Sequence, residues 1–109
     1  MDPPRLARFR ALVARDPANP LFHFSLGQAL AATADPAAEE HLRFCVAHDP
    51  TWMMPRILLG KLLLVHQRRA EARPLLAAAL DIAIAQDHDD PAAELRALLA
   101  DLGPDVTES

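Results

Sequence analysis

Along most of the chain, large apolar residues return every three or four positions, the spacing that lines one face of a helix. Leu6, Phe9, Leu12 and Val13 form one such set, with Arg5, Arg8 and Arg15 turned away from it. Leu75, Leu76, Ala79, Leu80, Ile82 and Ala83 form another, and Leu95, Leu98, Leu99 and Leu102 a third. No segment alternates polar and apolar residues long enough to read as a strand. One stretch departs from the amphipathic rule. From Trp52 to Val65 nearly everything is apolar apart from Arg56, Gly60 and Lys61, so a helix there must be covered on more than one side.

Turn chemistry divides this pattern. Asp-Pro recurs at Asp2-Pro3, Asp16-Pro17, Asp35-Pro36, Asp49-Pro50 and Asp90-Pro91. Asp can accept bonds from the free amides of a starting helix, and Pro fits the first helical position, where no donor is needed. After an apolar run the same dipeptide stops propagation instead. The pattern predicts six helices, at about 3–15, 20–33, 36–48, 52–67, 69–87 and 91–102. Pro74 falls in the early turns of the fifth and predicts a small kink or a late start there. Residues 103–109 read as a disordered tail.

The middle four helices repeat. "FSLGQAL" at 24–30 lies on "ILLGKLL" at 57–63, which carries Gly27 onto Gly60 at a spacing of 33. Ala38 then falls on Ala72 at a spacing of 34, the extra residue lying in the turn, where an insertion costs little. Two helices per period of about 34 residues mark an array of helical hairpins.

In these positions the chain resembles the tetratricopeptide repeat family, as a small protein of bacterial type. The first repeat (20–50) supplies Leu26-Gly27, Leu30, Ala38, Leu42 and Pro50; the second (52–86) supplies Leu59-Gly60, Leu63, Ala72 and Leu76. Small residues let the two helices of a hairpin approach, and large ones fill the space between turns. The chain departs from the family pattern at His23 and Arg56, where a bulky opening residue is usual. The family aromatics are mostly Leu here, and the second repeat lacks its closing Pro. The resemblance implies an all-α, right-handed superhelix of hairpins in a single domain, 1–102. The helix at 3–15 resembles the back half of a preceding repeat, and that at 91–102 a cap.

The greasy helix then finds its cover. Leu59, Leu62 and Leu63 face the core with Leu58 beside them, and Met54, Ile57, Lys61, Leu64 and Val65 form the opposite stripe. The resemblance implies that this stripe lines a concave surface together with Leu21, Phe24, Gln28, Ala31 and Ala32. Such a surface binds a peptide or helix of a partner protein, with Ile57 expected at its exposed centre. The same surface, or the edge of a terminal helix, can pair with a second copy as a homodimer. If the last helix folds over the groove, Met54 and Leu64 become core instead. Relatives that clamp acidic chaperone tails use Lys and Asn on this face; only Lys61 and Gln28 match here, so the groove reads apolar.

Composition narrows the classes. With 51% hydrophobic and 24% charged residues, a packed core is within reach. Lys+Arg 11 against Asp+Glu 15 gives a net charge of −4, which argues against nucleic acid as the partner. Cys45 is the single cysteine, so no internal disulfide forms, as suits a cytoplasmic protein. The N-terminus has no apolar signal core, and Leu62 to Val65 is far below the roughly 18 residues of a membrane span.

Signals for catalysis or metal binding are weak. His41, Cys45 and His48 share one helical face, a spacing that metal ligands also use. Cys45, however, stands where the repeat wants a small buried residue, and no fourth ligand is evident; packing is the expectation. "QDHDD" at 86–90 lacks the glycine and spacing of a calcium loop and reads as a solvated turn. Arg68, Arg69 and Arg73 lack the interleaved aromatics of a nucleic-acid surface. Ser25 has no nucleophile elbow, and no glycine-rich loop cradles phosphate. The expectation is a non-enzyme without cofactor or metal.

Overall fold

Six helices account for most of residues 4–103, which are the residues described by the computed structural model. They are α1 (Pro4–Arg15), α2 (Pro20–Ala31), α3 (Ala38–His48), α4 (Met53–Val65), α5 (Arg69–Ala85) and α6 (Asp89–Leu102). The expected tail at 104–109 lies outside the described residues. At the start of α2, the Asn19 side chain accepts a bond from the Leu21 amide at 2.9 Å, and Pro20 takes the first helical position. Asp35 and Asp49 also accept local amides, from Ala37 at 2.9 Å and Thr51 at 3.0 Å, but each builds a turn before its helix. That is why α3 begins at 38 rather than 36, and α4 at 53 rather than 52. Helix α6 starts at Asp89, two residues before expectation. Pro91 then sits in a first turn whose amides have no intrahelical acceptor. Helix α5 runs from Arg69 straight through Pro74 and is assigned as one element, so there is no late start.

Three helices end two residues earlier than their patterns, and for one reason. Ala34, Gln67 and Asp87 adopt positive φ (57°, 64° and 58°). The amides that follow them, of Asp35, Arg68 and His88, donate back to the carbonyls of Leu30, Leu63 and Ala83 at 2.8–3.0 Å. This is the closing pair of a left-handed helix cap, built without glycine. It accounts for the ends of α2, α4 and α5 at 31, 65 and 85 rather than 33, 67 and 87.

The helices stack as hairpins. Helix α2 pairs with α3, and α4 with α5; α1 lies on α2, α3 on α4, and α6 on α5, while α2 and α4 run side by side. The repeat register is the packing register: Leu26 and Leu59, Leu30 and Leu63, Ala38 and Ala72, Leu42 and Leu76 are all buried. A β-carbon on Gly27 would lie 3.0 Å from Leu42 Cδ2, and one on Gly60 would lie 2.6 Å from Leu76 Cδ2. The glycines are therefore where each hairpin closes. Between hairpins, Arg68 donates to Glu39 at 2.6 and 3.1 Å and to Glu71 at 2.7 and 2.8 Å, and Arg43 bonds Glu39 at 2.8 Å. The His66 Nε2 donates to the Ala34 carbonyl at 2.9 Å, tying the end of α4 to the end of α2.

Candidate functional site

The first helix of each hairpin, α2 and α4 (the front helices, with α3 and α5 behind them), carries the stripe that the sequence suggests for partner binding, and the structure divides it in two. Toward their C-terminal ends, Gln28 and Ala31 of α2, with Ala32 and Ala34 just beyond it, face Leu58, Lys61, Leu62 and Val65 of α4 across a cleft of about 270 Å³. Its walls are mainly apolar. Val65 is 59% exposed on the rim, and Lys61 pairs with Glu94 of α6 at 3.2 Å. Toward the N-terminal ends, Pro20 and Leu21 join His48, Asp49 and Trp52 around a second recess of about 300 Å³. Leu21 is 63% exposed there, and the Phe24 ring lies 4.8 Å from that of Trp52.

Ile57 corrects the sequence expectation. It is only 3% exposed and belongs to the continuous core, so it cannot be the exposed centre of a surface. The physical reason is its place in the array: α4 has the helix α2 before it in the same layer, whereas none precedes α2 among the described residues, and Phe24, the counterpart of Ile57 there, stays half-buried. Leu64 also packs partly against the core, while Met54 remains exposed at 37%. Of the expected groove residues, Gln28, Lys61 and Val65 share the C-terminal cleft. Leu21 stands apart in the other recess, where the Phe24 ring meets that of Trp52 at a tilt of 36°. Helix α6 does not close over the cleft: its backbone stays on α5, where Arg69 and Arg73 donate to the Leu102 carbonyl at 3.1 and 3.4 Å. Trp52, expected as the first residue of the fourth helix, is the N-cap residue of α4 instead and joins the recess beside Leu21.

The histidine and cysteine of α3 are engaged in packing. His23 Nε2 lies 2.6 Å from the Pro17 carbonyl, which can only accept, so that nitrogen carries the proton. His23 Nδ1 then accepts from His41 Nδ1–H at 3.0 Å. The His23 ring stacks on Phe44 at 3.9 Å. Burial lowers the His41 pKa, with Glu40 working against that effect and His23 and Arg10 adding to it. Cys45 donates to the Pro20 carbonyl at 3.4 Å, and burial pushes its thiol up to about 11, so it is a poor thiolate at neutral pH. His48 lies apart, exposed and stacked on Phe44 at 6.3 Å. No group of three or more potential metal-ligating side chains converges among the described residues. His23 thus helps close the α2–α3 hairpin through its bond to His41.

The chain matches no protein-family model and no curated protein. Among solved structures it is similar to the solution structure of protein BPP2914 from Bordetella parapertussis, a structural-genomics target whose name carries no activity. The two share 31% sequence identity over 94% of this chain and 89% of that one, with a TM-score of 0.77.

Proposed function

We propose that this chain, which belongs to the same family as the Bordetella parapertussis protein, is a non-catalytic interaction module built from tetratricopeptide-type hairpins. It holds an apolar peptide or helix of a partner protein on the concave side of α2 and α4. The observation that carries this reading is the cleft lined by Ala31, Ala32, Leu58, Leu62 and Val65. It is an apolar surface on rigid helices, with Gln28 and Lys61 as its polar contributors. The close approach at Gly27 and Gly60 supports the repeat assignment. A cytoplasmic setting fits, since Cys45 is the single cysteine and can form no internal disulfide. No helix among the described residues is long and apolar enough to cross a membrane.

Val65→Asp tests the reading. Because Val65 already faces water, the variant should melt within about 0.5 kcal/mol of wild type. It should also lose the proteins that wild type captures from its source cell. A variant that melts normally and keeps every partner sinks the assignment. If wild type is a dimer by light scattering and Val65→Asp makes it a monomer, the concave face pairs with itself instead.

A further inference from the structure

Helix α1 is a back helix without a front helix among the described residues. Counting 33 residues on, Arg8, Phe9 and Leu12 correspond to His41, Leu42 and Cys45 of α3. In α3 those side chains are covered by α2: Leu42 packs under Gly27, and His41 bonds His23. In α1 Phe9 and Leu12 remain half-exposed and Arg8 is exposed. Arg5 and Phe9 instead line a recess of about 280 Å³ with Ser25, Gln28 and Ala29 of α2 and its cap residue Ala32. Those four residues are, 33 positions earlier, the counterparts of Leu58, Lys61, Leu62 and Val65, the α4 side chains that face α2. The recess therefore has the two walls between which a front helix sits elsewhere in this same fold.

The chain also carries a front-type helix with an uncovered back. By the same count, Asp89 of α6 falls at the position of His23 and Arg56, and Ala93 at that of Gly27 and Gly60; both are exposed. Helix α6 packs on the back helix α5, its Glu94 reaching Lys61 of α4, and no back helix follows it among the described residues. The charges are opposite. Helix α1 has four arginines and no acid, whereas α6 has Asp89, Asp90, Glu94 and Asp101 against Arg96 alone.

We propose that a second copy of this chain docks here head to tail, its α6 seated in the α1–α2 recess. Ala93 then lies against Phe9 and Asp89 faces Arg8. The joint continues the hairpin array across two molecules and extends the concave face. It does not depend on that face binding anything. The other end-to-end pairings are poorer: α1 against α1 opposes four arginines to four, and α6 against α6 opposes acids. Arg96 stands where Leu30 and Leu63 lie buried, so the joint is looser than an internal hairpin. The association is correspondingly weak, open-ended and sensitive to salt.

Sedimentation velocity of the full chain, at concentrations up to roughly 1 mM and at low and high salt, reads this directly. The expected result is a mass that grows with concentration and shrinks with salt. Arg8→Glu or Asp89→Arg alone should weaken association about fivefold. The two together in one chain, or the two single variants mixed, should restore it, because the charge pair is then re-formed in reverse. Ala93→Leu, at an exposed site that leaves the monomer's melt unchanged, should weaken association about tenfold or more by overpacking against Phe9. A monomer at every concentration overturns the proposal. So does association that ignores both charge reversals, or a closed dimer that only Val65→Asp dissociates.

Discussion

A methyl group at Gly60 would sit 2.6 Å from Leu76 Cδ2 and 2.7 Å from its Cγ, and Leu76 is fully buried with no room to retreat. Helix propensity favours Ala over Gly by about 1 kcal/mol, while overpacking a filled core costs about 1–3 kcal/mol. The second effect wins, so Gly60→Ala should lower the unfolding free energy in urea by on the order of 1 kcal/mol, and Gly60→Leu by more. Gly27 is the control. Its nearest neighbours would be at 3.0–3.3 Å, which small shifts of Leu42 and His41 relieve. Gly27→Ala should therefore fall within about 0.5 kcal/mol of wild type. Equal costs at the two sites would mean that the hairpins do not close on these glycines.

Between elements, the α2–α3 hairpin is held by a pair of histidines, and that makes its stability depend on pH. Burial holds His41 below the ordinary histidine value of 6.5, opposed by Glu40 and reinforced by His23 and Arg10. The folded chain thus binds this proton less readily than the unfolded chain. Above about pH 6.5 both states leave His41 neutral and it has no effect. As pH falls below that value the unfolded chain is protonated first, and stability declines until the folded pKa is passed. The carboxylates of Glu39, Asp49 and Glu71 are held below their usual values by Arg68, Thr51 and Arg68 respectively, so they act only at lower pH. Thermal melts between pH 8 and 5 should show the midpoint falling on the acid side, and His41→Gln should flatten that slope. A wild-type midpoint that is level across the range would contradict the buried pair.

At the scale of the molecule, exposure follows position in the stack. Phe24 and Ile57 occupy the same register, yet Phe24 is half-buried and Ile57 is 3% exposed. Helix α4 has α2 before it as a front helix, whereas no front helix precedes α2 among the described residues. Ile57→Asp therefore puts a charge into the core that runs through both hairpins, and should cost several kcal/mol or prevent folding. Circular dichroism and a thermal melt decide it. A folded variant with an unchanged midpoint would mean that water already reaches the site. In an array some 43 Å long, the loss of such a joint is expected to unfold both hairpins together rather than one.

The sequence by itself determined the six helices, the repeat register and the residues inside each hairpin. Leu26, Gly27, Leu30, Ala38 and Leu42, and their counterparts from Leu59 to Leu76, were legible because helical periodicity and a recurring Gly are local signals. Three helix ends were not legible, since Ala34, Gln67 and Asp87 carry left-handed caps without the glycine that announces them. Tertiary structure alone decided which apolar stripe meets water. Periodicity states that Ile57 and Val65 share a side of α4, but burial depends on what the neighbouring helices cover, and neighbours are set by long-range packing. The same holds for His23 and His41, eighteen residues apart, and for Lys61 and Glu94, thirty-three apart. Nothing in a one-dimensional pattern pairs such residues; the stacking of front helix on back helix does.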